Sequence, residues 1–314
     1  MSAFIVSADG LDPNAFAQLS KIEGFDVHPS SKVSQEELKG LLPKVTGLII
    51  RSSTNITQEL ISQAPNLKYI IRAGEGTDNI DKKQCQEKGI KVSNTPGANG
   101  NSAAEHAIAL IMTLLRKTAW AHSSMEKGAW DKALYAGNEL TGKTVGIIGF
   151  GKIGQILAKR ISGFEPKVLY YDPFVKTPPF EFSKSATLQE IFSKADVITV
   201  HTPLMDATRN LIHKDLFKLM KQDAIFVNAA RGGIVNEDDL AQALEKGLLK
   251  AAALDVFAEE PLPADSKLRS LSNLILTPHL GASTAEAAIR VGDMAVNQMS
   301  EYLNHNNLLN EVRS

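Results

Sequence analysis

Short apolar runs alternating with amphipathic stretches constrain this chain most, because the alternation covers nearly its whole length in two separate series. The first series places strand-like runs at 3–7 (AFIVS), 47–50 (GLII), 68–72 (KYIIR) and 90–92. Helix-like stretches at 14–21, 34–42, 57–63 and 81–88 separate them. The alternation restarts at Thr144 with TVGIIG (144–149), KVLYY (167–171), DVITV (196–200), AIFVN (224–228), AAALDV (251–256) and NLILT (273–277). Parallel strands need a crossover of about a dozen or more residues, usually a helix, so this spacing predicts βαβ units. Strands covered on both faces read as unbroken apolar runs, as these do. The expected class is α/β, with a parallel sheet from each series.

Between the two series, residues 101–134 hold no strand-like segment. The stretch 102–117 (SAAEHAIALIMTLLRK) predicts a helix, rich in Ala and Leu with basic residues in its last turn. Residues 284–304 also read as helical, and nothing strand-like follows. Two helices thus bracket the second series, which predicts that the C-terminal helix crosses back to the first domain. A length of 314 residues agrees with two domains at roughly 150 residues each. Pro173, Pro178 and Pro179 mark a surface loop over 173–185.

Composition removes several functions. Lys plus Arg number 34 against 35 Asp plus Glu, a formal charge of −1. That offers no basic footprint for nucleic acid or an anionic membrane. No apolar run approaches the roughly 20 residues of a membrane span, and the first residues have no secretory pattern. The expected location is cytoplasmic. Cys85 is the one cysteine, which excludes an internal disulfide and any zinc or iron–sulfur site built from this chain's own cysteines. No metal is expected.

Gly149-Phe150-Gly151-Lys152-Ile153-Gly154 is a G-x-G-x-x-G that follows the run TVGIIG and opens a helix. The first glycine permits a tight turn, the second lets backbone approach a pyrophosphate, and the third allows close helix–strand packing. The helix N-terminus adds free N–H groups and a positive dipole end. Asp172 ends the next strand, KVLYY, 23 residues after Gly149. An acid there suits both ribose hydroxyls of an adenosine and repels a 2′-phosphate, so the expected cofactor is NAD rather than NADP.

Ligands of open α/β sheets bind beyond the carboxyl ends of the strands. Three functional residue types stand there: Arg231 after AIFVNAA, Glu260 shortly after AAALDVF, and His279 after NLILTP. Singly, each has a bland reading: a cap, a solvated acid, a structural imidazole. Together beside a dinucleotide loop they suit hydride transfer at a 2-keto acid. Arg231 offers a bidentate cation for the carboxylate, His279 a proton for the new alkoxide, and Glu260 an orienting partner for the imidazole.

These residues, in VNAARGGIVNEDDL (227–240), ALDVFAEEP (253–261) and LTPHLGAST (276–284), with separations of 29 and 19, resemble the D-isomer-specific 2-hydroxyacid dehydrogenases over essentially the whole chain. The resemblance implies a Rossmann NAD-binding domain, 99–284, inserted into a flavodoxin-like substrate domain, 1–98 plus 285–314. It implies Arg231, Glu260 and His279 as catalytic residues. Cofactor contacts would come from Thr77, Gly149, Gly151, Lys152, Ile153, Gly154, Asp172, Thr202, Ala229, Asp255, Gly281 and Ala282, with Asp255 facing the nicotinamide carboxamide. Within the family, RSSTNIT (51–57), IRAGEGTDNID (71–81) and NTPGANGNSAAEH (94–106) are most similar to the phosphoglycerate-oxidising branch. That implies oxidation of D-3-phosphoglycerate at the start of serine synthesis. Arg51, Ser52, Arg72, Gly74 and Gly76 would bind the phosphorylated 2-hydroxy acid, with Lys132 reaching it across a subunit interface. A homodimer or homotetramer is also implied. For Arg51 and Arg72 the competing reading is a surface ion pair, and for Lys132 a solvated side chain.

Two departures matter. Glu75 stands where relatives carry a small or apolar residue, and an acid there would repel a doubly anionic substrate unless its side chain points away. The length of 314 leaves no room for the ACT regulatory domain of longer members, so serine feedback through it is not expected. His106 reads as a packing residue, with a place near the site as the alternative, His28, His122, His213 and His305 as surface or structural, and Cys85 as inert. Trp120 and Trp130 suit either a subunit interface or a core. The alternatives are a glyoxylate or hydroxypyruvate reductase with the same triad, and an NAD-sensing binding protein of corepressor type.

Overall fold

Both series of apolar runs form parallel sheets in the computed structural model, which describes residues 2–313. The strands of the first are β1 (Ala3–Ser7), β2 (Phe25–Val27), β3 (Gly47–Ile50), β4 (Tyr69–Arg72) and β5 (Lys91–Asn94). Those of the second are β6 (Thr144–Ile148), β7 (Lys167–Tyr171), β8 (Ser183–Ser185), β9 (Val197–Val200), β10 (Ile225–Asn228), β11 (Ala251–Leu254) and β12 (Leu274–Leu276). The chain clusters into two units, Met1–Asn99 with Ala282–Ser314, and Gly100–Gly281. The second is therefore an insertion in the first, starting one residue later and ending three earlier than the resemblance placed it.

The outer unit has strand order β2-β1-β3-β4-β5, the flavodoxin-like order with its reversal between β1 and β3. β3 is buried along its whole length. The C-terminal helix, Ala285–His305, returns to this sheet. Its Gly292 lies so close to Ala15 of the Pro13–Leu19 helix that a Cβ would stand 2.7 Å from that methyl. Its Tyr302 ring sits 4.6 Å from that of Tyr69 on β4.

The inserted unit has order β12-β11-β10-β9-β6-β7-β8, a doubly wound Rossmann sheet that reverses between β6 and β9. β9, β10 and β11 are buried throughout, because helices cover both faces. One face packs on the Gly100–Arg116 and Lys152–Ile161 helices through Ala104, Ala107, Leu157 and Ile161. The other carries Phe192, Phe217 and Phe226, packed edge to face at 5.6–6.2 Å.

Two strands escape the sequence reading. β2 and β8 have three residues each and lie at sheet edges. β8, Ser-Lys-Ser, falls inside the stretch expected to be a surface loop, and it pairs in parallel with β7 through Val168↔Ser183. A short polar edge strand has no apolar run to announce it, since one of its sides faces water.

Candidate active site

The register of the inserted sheet brings the strand ends into one row. Leu276, Leu254, Asn228, Val200, Ile148 and Tyr171 are successive partners across β12, β11, β10, β9, β6 and β7. His279, Asp255, Arg231, Thr202, Gly149 and Asp172 each follow one of these ends closely, whereas Glu260 stands further along the loop after Leu254, and Lys152, Ile153 and Gly154 lie in the Lys152–Ile161 helix. Lys132 is exposed in a turn after the Thr118–Glu126 helix.

At the sheet's reversal, Gly149 adopts φ +90°, and a Cβ there would stand 2.6 Å from the backbone of His201 and Thr202. Gly154 presses on the Gly149 carbonyl, where a Cβ would overlap it. Gly151 differs: a Cβ there would meet nothing within 4 Å. Gly151 is also the N-cap of the Lys152–Ile161 helix, and no side chain caps that end. An uncapped helix N-terminus beside open space fits the phosphates of a dinucleotide. Asp172 belongs to the same loop. Its Oδ2 accepts the Phe150 N–H at 2.8 Å and its Oδ1 the Phe174 N–H at 2.8 Å, leaving acceptor capacity on Oδ2. The residues present therefore fit NAD.

On the other side of the row, His279 Nδ1 lies 2.7 Å from Glu260 Oε2. Glu260 Oε1 accepts the Phe257 N–H at 3.0 Å. Burial raises the Glu260 carboxyl, but its bonds to His279 and Phe257 outweigh that and hold it below the usual carboxylate range. His279 has φ +55°, a left-handed backbone that costs a non-glycine residue roughly 1–2 kcal/mol. Gly232, next to Arg231, sits against the Phe257 carbonyl, where a Cβ would overlap it. That contact ties the loop carrying Arg231 to the loop carrying Glu260.

Asp255 has protein partners on both of its carboxylate oxygens. Its side chain is fully buried. Oδ1 accepts from Thr277 Oγ1 at 2.5 Å and the Leu280 N–H at 2.8 Å, and Oδ2 accepts the Gly281 N–H at 2.8 Å. His106 Nε2 stands 3.1 Å from Oδ1. These partners are protein groups, and through them the carboxylate holds the His279 turn. Burial pushes its carboxyl up, yet the bonds from His106, Thr277 and Leu280 hold it below the ordinary range. His106 is a partner of this carboxylate, which favours its reading as a residue near the site over a packing role.

In the outer unit, Arg51 follows β3 and Arg72 ends β4, with Ile50 and Arg72 paired in register. Asp9, which the sequence reading missed, organises this loop. Its carboxylate accepts the Arg51 N–H at 2.6 Å, the Thr54 N–H at 3.1 Å and the Thr54 hydroxyl at 2.7 Å. An acid two residues after the run AFIVS was the available signal. Arg51 and Ser52 are exposed, and the Arg72 guanidinium lies against Gly74, whose φ is +152°. Glu75 Oε2 accepts the Gly97 N–H at 2.5 Å, and Gly76 is half-buried beside it. Thr77 contacts Lys82 Nζ at 3.3 Å through its carbonyl. Among the described residues no group of three or more His, Cys, Asp or Glu could hold a metal, and no helix is long and apolar enough to cross a membrane.

A Rossmann loop and a histidine–carboxylate pair at one edge of a parallel sheet define a nicotinamide-linked oxidoreductase. Residues 108–281 match the family model for the NAD-binding domain of D-isomer specific 2-hydroxyacid dehydrogenases, and the chain belongs to that family. It is 44% identical over 289 residues to a hydroxypyruvate reductase of Thermotoga maritima, covering 90% of this chain and 93% of that protein. It is 43% identical over 290 residues to a D-3-phosphoglycerate dehydrogenase of Archaeoglobus fulgidus. That match covers 92% of this chain, which spans 55% of the relative's length. Among solved structures it resembles an NAD-dependent formate dehydrogenase from Staphylococcus aureus in complex with NAD, with TM-score 0.87, 31% identity, and coverage of 100% of this chain and 99% of that one. The protein is an NAD-dependent D-2-hydroxyacid dehydrogenase acting on a small-molecule substrate.

The glycines separate cofactor space from fold strain. Gly151→Val should keep the melting temperature while weakening NADH binding about tenfold or more, a loss of roughly 1.4 kcal/mol. Gly149→Ala should lower the melting temperature itself. Calorimetry with NADH titration checks both, and equal stability losses would contradict the assignment. Asp255 also has a pH signature. A depressed carboxyl adds stability above the ordinary carboxylate range and loses it as pH falls through its folded value. Asp255→Asn should therefore be less stable at neutral pH but lose less stability below about pH 4, as urea midpoints against pH would show.

Proposed function

We infer that the chain oxidises D-3-phosphoglycerate to 3-phosphohydroxypyruvate, the entry to serine synthesis. The observation carrying this is the pair Arg51 and Arg72 at adjacent strand ends, with the nearby Glu75 carboxylate turned onto the Gly97 N–H. Two guanidiniums suit a remote phosphate, and an acid already bonded to backbone opposes it less. Ser52, Gly74 and Gly76 complete that subsite. Lys132 reaches it from a second subunit in a homodimer or homotetramer, to which the exposed Met125, Trp130 and Leu134 of the same segment lend support. The expected compartment is the cytoplasm.

NAD, when bound, accepts the hydride from C2. The backbone at Gly149, Gly151, Lys152, Ile153 and Gly154 would hold its pyrophosphate, and Asp172 its ribose. Thr202, Ala229 and Gly281 of the same unit would line the rest. Arg231 binds the substrate carboxylate through a planar fork and polarises the C2–O bond. His279 Nδ1 is committed to Glu260, so Nε2 faces the C2 hydroxyl and takes its proton in oxidation. The Glu260 carboxylate stabilises the imidazolium that forms.

A second reading, reduction of hydroxypyruvate, uses the same three residues without the phosphate subsite. Glu75 and the similarity to the Thermotoga maritima reductase favour it. NADH formation across 2-hydroxy acids with and without phosphate separates the two. Arg51→Gln should lower kcat/KM for the phosphorylated acid by about 10–100-fold and leave the unphosphorylated one unchanged. Equal turnover of both acids by the unaltered enzyme would favour the reductase. Arg231→Ala should abolish turnover while NADH binding survives, and retained activity would contradict its role.

A further inference from the structure

His106 projects from the Gly100–Arg116 helix with 18% of its side chain exposed. Its neighbours Ala104 and Ala107 serve the core, but its imidazole is aimed elsewhere. Nε2 lies 3.1 Å from Asp255 Oδ1 and 3.3 Å from Thr277 Oγ1. A residue there for bulk alone has no need of a polar atom directed at a buried carboxylate.

That carboxylate is the anchor of the turn bearing His279. It accepts from residues on both sides of the histidine, Thr277 before it and Leu280 and Gly281 after it. The His279 N–H itself bonds to the Asp255 carbonyl at 2.9 Å. A left-handed histidine persists only where its surroundings over-determine it. The anchor works only as an anion. A protonated Asp255 would carry its own donor towards amides that are already donors, and one would lose its acceptor. A carboxylate excluded from water stays ionised only if enough donors compensate its lost hydration. The Asp255 charge also acts on Glu260, the bonded partner of His279.

We propose that His106 is a positioning residue for hydride transfer: by donating from Nε2 it keeps Asp255 an anion, and Asp255 in turn fixes the turn that presents His279 to the substrate. The proposal rests on His279 being the acid/base group. His106 touches neither substrate nor cofactor in this role, so its loss changes the chemical step and not cofactor affinity.

The test compares His106→Phe, which keeps a ring and removes the donor, with His106→Gln, which keeps an N–H of similar reach. His106→Ala repeats the deletion without the ring's bulk. The whole enzyme is assayed for kcat, KM, NADH affinity and the pH profile of kcat/KM. Both donor-deleting variants should lose about 30-fold or more in kcat, keep NADH affinity within about twofold, and shift the apparent pKa of the profile. His106→Gln should recover to within about threefold. The proposal is overturned if deletion leaves kcat and the profile unchanged. It is also overturned if His106→Gln falls as far as the deletions with a parallel loss of melting temperature, since that marks packing alone. His279→Gln is assayed alongside. If it retains activity and pH profile, the acid/base reading fails. If it is inactive while His106→Phe is normal, only the positioning role fails.

Discussion

One buried carboxylate does most to arrange the chemical end of this protein. Asp255 is shut off from water, a costly place for a charge, and its lost hydration is replaced by a hydroxyl, an imidazole and two backbone amides. Those donors come from the stretch around His279 and from a helix across the sheet. Satisfying the charge therefore folds the turn, holds His279 in a left-handed conformation, and leaves its Nδ1 2.7 Å from Glu260. Asp9 does similar work in the outer unit, gathering Arg51 and Thr54 after β3. In both units an acid just beyond a strand binds backbone, and the loops it orders carry the groups that suit substrate.

The sheet supplies the coarse placement and the loops the fine one. Parallel strands in register deliver six loops to one edge, so residues far apart in the chain need only short excursions to meet. Glycines then set contact distances that no other residue allows. Gly149 and Gly154 let the first helix of the inserted sheet close on its strand, and Gly232 seats the Arg231 loop against Phe257. Gly151 alone of the loop glycines leaves empty space, as a phosphate site requires.

Much of this was legible in the sequence for physical reasons. Buried parallel strands must be continuously apolar, so β3, β9, β10 and β11 announced themselves. Arg231, Glu260 and His279 stood out as functional residue types placed where strand runs stop, and the glycine spacing marked the turn that opens the Lys152–Ile161 helix. The edge strands β2 and β8 were not visible, because Phe25-Asp26-Val27 is broken by an acid and Ser183-Lys184-Ser185 is polar, whereas the equally short edge strand β12 is apolar throughout and was read. The tasks of Asp255, His106 and Asp9 were hidden differently. Their partners are backbone N–H groups, or a side chain 171 positions away as between His106 and Thr277, and backbone donors are written identically at every residue. The bonds by which the acid in ALDVF anchors the His279 turn therefore left no mark in the sequence.

Amide hydrogen exchange at Leu280 and Gly281 tests this anchor most directly. Both amides lie in a loop, where exchange is ordinarily fast, but here they donate to a carboxylate closed off from solvent. The account predicts protection comparable to the β10 and β11 core in the unaltered protein, lost at both amides in Asp255→Asn while the strands stay protected. Loop-like exchange at Leu280 and Gly281 in the unaltered protein would contradict it.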